Sequence, residues 1–173
     1  MIVKLYDIEE SLTVRGTMDG SRYKRPEDVE IAFESPIDYA LTIQKMGDNL
    51  HIWGPVHATL RLTCDRCLEG FTLPVDAQMN VELAPKGDAP KAAEMELRGD
   101  EMNLEYYEGD ELELDPYVFE EVMLAVPIKV LCNEACKGIC PECGKNRNGG
   151  ECVCKGTEGT PLGEKLKTFL QDS

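Results

Sequence analysis

Ile52-Trp53-Gly54-Pro55-Val56-His57-Ala58-Thr59-Leu60-Arg61-Leu62-Thr63-Cys64 decides the fold. Its even positions are apolar or small (Ile52, Gly54, Val56, Ala58, Leu60, Leu62, Cys64), and its odd positions are mostly polar (His57, Thr59, Arg61, Thr63). Side chains alternate across a strand, so this period of two reads as a strand with one face buried. Residues 71–83 repeat the pattern, with Phe71, Leu73, Val75, Ala77, Met79, Val81 and Leu83 on one face. Between the two runs lies Cys64-Asp65-Arg66-Cys67-Leu68-Glu69-Gly70, short enough to close an antiparallel hairpin.

Working outward, residues 37–45 lead into the turn Gly47-Asp48-Asn49 and supply a third antiparallel strand, and residues 1–8 alternate well enough to be a first strand. Residues 11–35 are polar and poorly periodic. They read as a solvated loop that carries the basic cluster Arg22, Lys24 and Arg25. Residues 85–113 hold ten acidic and three basic residues among Pro85, Gly87, Pro90, Gly99 and Gly109, and read as an acidic loop. Leu104–Tyr107 can rejoin the sheet from it. Asp115-Pro116 starts a helix with Asp as the capping residue. Val118, Phe119, Val122, Met123 and Val126 then form a stripe at helical spacing, which Pro127 ends. Such a stripe is core. Leu162, Leu166, Phe169 and Leu170 repeat the logic as a short helix over 162–170.

The expected fold is therefore α+β: mainly antiparallel β-sheet with one or two short packed helices and a C-terminal zinc-ribbon-like cysteine cluster. The expected division is a β-rich body over 1–126, with its helix near 116–126, and a metal-binding tail over 127–173.

Charge divides along the same line. The chain carries −15 over 173 residues; residues 127–173 hold seven Lys/Arg against six Asp/Glu, and residues 1–126 hold 11 against 27. A body at −16 repels phosphate backbones, which argues against broad coating of nucleic acid and suits a basic protein partner. The start, MIVKLYDIEE, lacks a cationic leader before an apolar run, and no stretch reaches the roughly 18 apolar residues of a membrane span. A cytoplasmic protein without a membrane partner is expected. Thiols stay reduced in that compartment, so eight cysteines at motif spacing point to metal before disulfides.

Cys140-Pro141-Glu142-Cys143-Gly144 has the two-residue gap that lets both sulfurs reach one ion, with a glycine for the turn. Cys152-x-Cys154 closes the site after Asn146-Arg147-Asn148-Gly149-Gly150. Cys140, Cys143, Cys152 and Cys154 are thus the first candidate four-thiolate site. Cys64, Cys67, Cys132 and Cys136 remain. They form a second site pinning the tail to the hairpin tip, or else Cys132 or Cys136 replaces one of the first four. The ion expected is zinc, one or two per chain. Four thiolates also hold iron in rubredoxin-type proteins, but those are shorter and aromatic-rich, and aromatics are only 6% of this chain. A dithiol redox role for Cys64-Asp65-Arg66-Cys67 lacks the βαβ unit and helix N-terminus that thioredoxin-like motifs use. Redox or electron transfer stands as the alternative function.

His51 and His57 share a strand face but lie six residues apart, roughly 20 Å along an extended strand, and are read as surface or packed residues. HExxH, GxSxG, P-loop and GxGxxG motifs are all absent, so neither an enzyme nor a small-molecule substrate is indicated.

One combination of residues is distinctive: Leu62-Thr63-Cys64-Asp65-Arg66-Cys67-Leu68-Glu69, then Glu120-Glu121-Val122-Met123-Leu124-Ala125-Val126-Pro127-Ile128, then Leu131-Cys132 through Cys136-Lys137-Gly138-Ile139-Cys140-Pro141-x-Cys143-Gly144-x-Asn146-x-Asn148 and Cys152-x-Cys154. Over about residues 50–155 this resembles the YceD family, the large ribosomal RNA subunit accumulation proteins of bacteria and plastids. The resemblance implies a role in synthesis, processing or stability of 23S rRNA without enzymatic activity. The partners it implies are a large-subunit assembly intermediate, a ribosomal protein or an rRNA precursor.

Overall fold

A computed structural model describes residues 1–23, 31–88, 104–150 and 152–154. Lys24, Arg25, most of the acidic loop and the expected helix over 162–170 lie outside the described residues.

The strands are β1 (Ile2–Lys4), β2 (Ser11–Met18), β3 (Ala32–Phe33), β4 (Ile37–Met46), β5 (Asn49–Thr63), β6 (Gly70–Pro85), β7 (Leu104–Tyr107) and β8 (Glu111–Glu113), followed by helix α1 (Asp115–Leu124). The main sheet runs β2-β4-β5-β6-β7, with β3 also on β5; β1 and β8 form a separate antiparallel pair. The architecture is α+β and mainly antiparallel.

Strands β5 and β6 pair without interruption from Leu50↔Leu83 to Thr63↔Gly70. The even positions of β5 are buried and the odd ones half-buried or exposed, as the alternation requires. On the other side β4 covers Asn49 to His57 of this long strand, and β3 takes over at Leu60 and Arg61. Gly47 and Asp48 turn β4 into β5. Gly47 has φ +69, the conformation that a two-residue hairpin asks of its first turn residue and that glycine adopts without steric cost.

Helix α1 packs across β4, β5 and β6. Val118, Phe119 and Val122 are buried against a sheet face that includes Ile37, Leu41, Ile43, Ile52, Val56, Leu60 and Met79. The ring of Phe119 stacks on Tyr23 with centroids 5.1 Å apart.

Four expectations are corrected. Residues 11–18 are a strand rather than loop: Ser11 to Met18 pair in register with Gln44 to Ile37. Leu12, Val14, Gly16 and Met18 are shielded and Ser11, Thr13, Arg15 and Thr17 exposed, a period of two that is hidden when residues 11–35 are taken as one polar stretch. The first strand spans only Ile2–Lys4, because residues 5–7 coil into a 3₁₀ turn. The segment expected as an acidic loop holds strand at both described ends, as β6 runs to Pro85 and Glu111–Glu113 pairs with β1. Leu104–Tyr107 rejoins the sheet as expected, parallel to β6 from Glu82↔Leu104 to Pro85↔Tyr107. Asp115 does not cap α1: Leu114 occupies that position, and the Asp115 carboxylate meets the Met1 amino group instead.

The β4–β5 ladder has one gap, at Gly54-Pro55. Proline cannot donate there. Gly54 has φ +147, and a Cβ on it would collide with the Ala40 carbonyl oxygen. A side chain in this glycine-only region costs about 1–3 kcal/mol before any collision. Gly54→Ala should therefore lower unfolding stability by about 2 kcal/mol or more, read as a fall in the urea midpoint at unchanged slope.

Candidate metal centres

The β5–β6 turn brings Cys64 and Cys67 to the end of the sheet. Cys64 N–H donates to Glu69 O (3.0 Å) and Leu68 N–H to Cys64 O (2.9 Å), and Leu68 takes φ +60 to complete the loop. The chain after α1 returns to this tip. Asp65 N–H donates to Val130 O (2.9 Å), and Val130 N–H donates back to Asp65 Oδ2 (2.8 Å). Arg66 Nη1 donates to the carbonyls of Glu134 (3.1 Å) and Cys136 (3.0 Å), while Ile139 N–H donates to Arg66 O (3.0 Å). At Gly138 (φ +70) a Cβ would stand 2.9 Å from that same carbonyl oxygen, so the approach requires glycine.

The clasp sets Cys132 and Cys136 against Cys64 and Cys67, and the four sulfurs lie within 4.8 Å of one another. Cys64 and Cys136 are 3.8 Å apart, as are Cys67 and Cys132. Zn–S bonds of about 2.3 Å at tetrahedral corners put sulfurs about 3.8 Å apart. The donor set and its spacing therefore fit a tetrathiolate ion. Cys64, Cys67 and Cys136 are buried, and Cys132 is half-buried.

Cys140, Cys143, Cys152 and Cys154 form the second group, again within 4.8 Å. Gly144 N–H donates to Cys140 O and Cys140 N–H to Lys145 O, both at 2.9 Å, and Gly144 holds φ +70. This group is built almost wholly from one short stretch of chain and is the more open: Cys143 is exposed and only Cys140 is buried. All eight cysteines are free of disulfides.

Hydrogen bonds aimed at sulfur set the proton affinities. Burial raises the Cys64 thiol, but the amides of Cys132, Cys67 and Arg66 outweigh it and bring it down to about 6. The Cys143 and Glu142 amides bring Cys140 down to about 6. The Asn148 side chain, donating to Cys136 Sγ at 3.2 Å, lowers Cys136. Burial and the neighbouring sulfurs push Cys132 up to about 12. The Cys143 sulfur, with burial and Cys140, does the same to Cys154. The Glu69 amide pulls Cys67 down, yet burial and the sulfurs of Cys64 and Cys136 leave it raised. Each cluster thus mixes easily ionised thiols with thiols that keep their protons beside a thiolate. A divalent cation would relieve that repulsion and expel the remaining protons.

The spacing of the cysteines did not disclose Asn148. Its amide links the groups: besides Cys136 Sγ it bonds Lys137 N–H (2.7 Å), while its own N–H donates to Asn146 Oδ1 (2.9 Å) in the loop of the second group. Asp65 and Arg66 were equally silent, since nothing in a CxxC motif says that its middle residues clasp a distant segment. His57 pairs with Asp76 (2.6 Å), and His51 bonds Asn80 (2.7 Å) and stacks on Trp53; neither joins a cysteine group. Arg22 faces Asp19 at 3.6 Å on the surface.

The family model described as large ribosomal RNA subunit accumulation protein YceD matches residues 52–170. No curated protein and no solved structure matches the chain.

Cobalt(II) titration of the reduced chain should saturate at two equivalents with the visible absorption of tetrahedral thiolate. Cys140→Ser should reduce this to one equivalent and leave the far-ultraviolet spectrum of the sheet intact, whereas one equivalent in the parent chain would show that only one group binds. Protons compete for the same sulfurs, so affinity should fall as pH drops, most steeply below about 6, where Cys64 and Cys140 are also protonated.

Proposed function

The chain belongs to the YceD family, the large ribosomal RNA subunit accumulation proteins, and on that premise we propose that it supports synthesis, processing or stability of 23S rRNA as a non-catalytic, zinc-braced factor in the cytoplasm. The observation that carries the reading is the extent of the match. It runs from β5 through the hairpin tip, α1 and both cysteine groups, the parts that together make up the clasp.

In this reading residues 1–126 are the body and residues 127–173 the metal-binding tail. Cys64, Cys67, Cys132 and Cys136 hold one zinc, and Cys140, Cys143, Cys152 and Cys154 hold another. Zinc is redox-inert and asks only for tetrahedral thiolates. The ions then shape a recognition surface instead of performing chemistry. The charge distribution favours contact with a basic ribosomal protein, or with a restricted part of an rRNA precursor, in a large-subunit assembly intermediate. Among the described residues no helix is long and apolar enough to cross a membrane.

In cells lacking the protein, the ratio of mature large-subunit to small-subunit rRNA should fall selectively, and precursor ends mapped on the large-subunit transcript should accumulate. An unchanged ratio would overturn the proposal. The purified protein should be colourless; visible thiolate–iron absorption would move electron transfer to the front.

A further inference from the structure

Beside the clasp, α1 and the segment leaving it expose what a soluble surface usually hides. Leu124 is 81% exposed and Ile128 fully so. They edge a groove of about 520 Å³ that Ile31, Phe119, Met123, Val126 and Val130 also line. Single exposed leucines are ordinary, but two large aliphatic side chains bordering one continuous apolar groove mark an interaction surface.

Among the described residues, Glu120 is the one charged side chain that lines the groove. Glu121 follows it on the same helix. Neither forms an ion pair among the described residues. Both belong to the body over residues 1–126, whose net charge is −16.

We infer that this groove receives an amphipathic, Lys/Arg-rich protein segment, whose apolar side chains enter beside Leu124 and Ile128 while its cations face Glu120 and the acidic body around it. The inference deepens the assembly-factor reading and rests on it for the setting, an assembling particle that supplies basic protein segments. A helix laid in an apolar groove is a common recognition mode, and opposite charge at the rim adds rate and register. The other occupants fit less well. An RNA strand would bring phosphates to an acidic rim and an apolar floor. A second copy in a two-fold contact would face the same carboxylates with its own. Residues 155–173 hold three lysines against two glutamates and one aspartate, so charge does not draw them to the rim.

The test uses the full chain and a labelled helical peptide with leucines at i, i+4 and i+7 flanked by Lys and Arg, followed by fluorescence anisotropy. Saturable binding is expected. It should weaken at least about tenfold in Leu124→Ser/Ile128→Ser, since one buried aliphatic side chain is worth that much or more. Both positions are exposed, so the fold should survive, as circular dichroism will check. Glu120→Gln should weaken binding a few-fold, and a peptide with Glu in place of Lys and Arg should not bind. Equal binding of both peptides, or binding that ignores the groove substitutions, would overturn the inference. So would a tenfold gain in affinity on Leu166→Ser/Phe169→Ser, which would make the chain's own tail the occupant. A dimer that Leu124→Ser dissolves, or displacement of the peptide by an rRNA fragment, would also overturn it. A normal rRNA ratio in cells lacking the protein, alongside groove-dependent peptide binding, would remove the assembly setting and uphold the groove's specificity.

Discussion

Four sulfurs from two distant parts of the chain converge at one end of a long hairpin, and the placement of the described residues after α1 depends on that convergence. Cys64 and Cys67 sit where the sheet ends, and Cys132 and Cys136 sit where the chain would otherwise leave it. Around them the apolar support is thin: among the described residues only Phe71 and Leu131 pack there beyond the cysteines themselves. The main core touches this cluster through Phe71, and α1 closes one face of its sheet. Structural zinc contributes about 10–16 kcal/mol in small thiolate sites, comparable to or larger than the whole stability of a typical domain at about 5–15 kcal/mol. Without an ion, packed thiols that raise one another's proton affinity are a poor adhesive. The hydrogen bonds of Asp65 and Arg66 give the clasp its register, and an ion held by the four sulfurs would supply most of its strength.

The two groups differ in how they are assembled. The first joins residues about seventy positions apart and is largely buried, so closing it fixes the tail against the hairpin. The second closes a loop of fewer than twenty residues and is more exposed, so it orders the tail internally. Asn148 couples them by donating to a sulfur of the first from a loop that belongs to the second. An ion in the second group would thus be felt at Cys136 through one side-chain amide.

Legibility in the sequence followed physical scale. The alternation from Ile52 to Cys64 and from Phe71 to Leu83 is a direct consequence of burying one face of a sheet, and both strands stand where it puts them. Strand β2 carries the same period of two, with Leu12, Val14, Gly16 and Met18 inward and Thr13, Arg15 and Thr17 outward, but eight residues of it are diluted by the polar, aperiodic stretch that follows to residue 35. The first strand was legible at residues 1–8 but not its short extent, Ile2–Lys4, nor its pairing with β8. The two partners lie over a hundred residues apart, and three residues carry no period. Among the cysteines, the CPxCG turn is local and announces itself. The pairing of Cys64 and Cys67 with Cys132 and Cys136 is a tertiary fact, reachable from sequence only as one of two alternatives. The capping of α1 was misread because Asp115 has a closer use for its charge, beside the Met1 amino group.

The functional reading joins two independent lines: a family match that covers the hairpin, helix and tail together, and a geometry that makes those three parts one mechanical unit. Amide hydrogen exchange before and after chelation tests that unity most directly. The amides of Asp65 and Ile139, which donate to Val130 O and Arg66 O across the clasp, should lose protection when metal is removed, while the paired amides of β5 and β6 keep theirs. Unchanged protection at Asp65 and Ile139 in the metal-free chain would contradict the account, because the tail would then be held by its hydrogen bonds and packing alone.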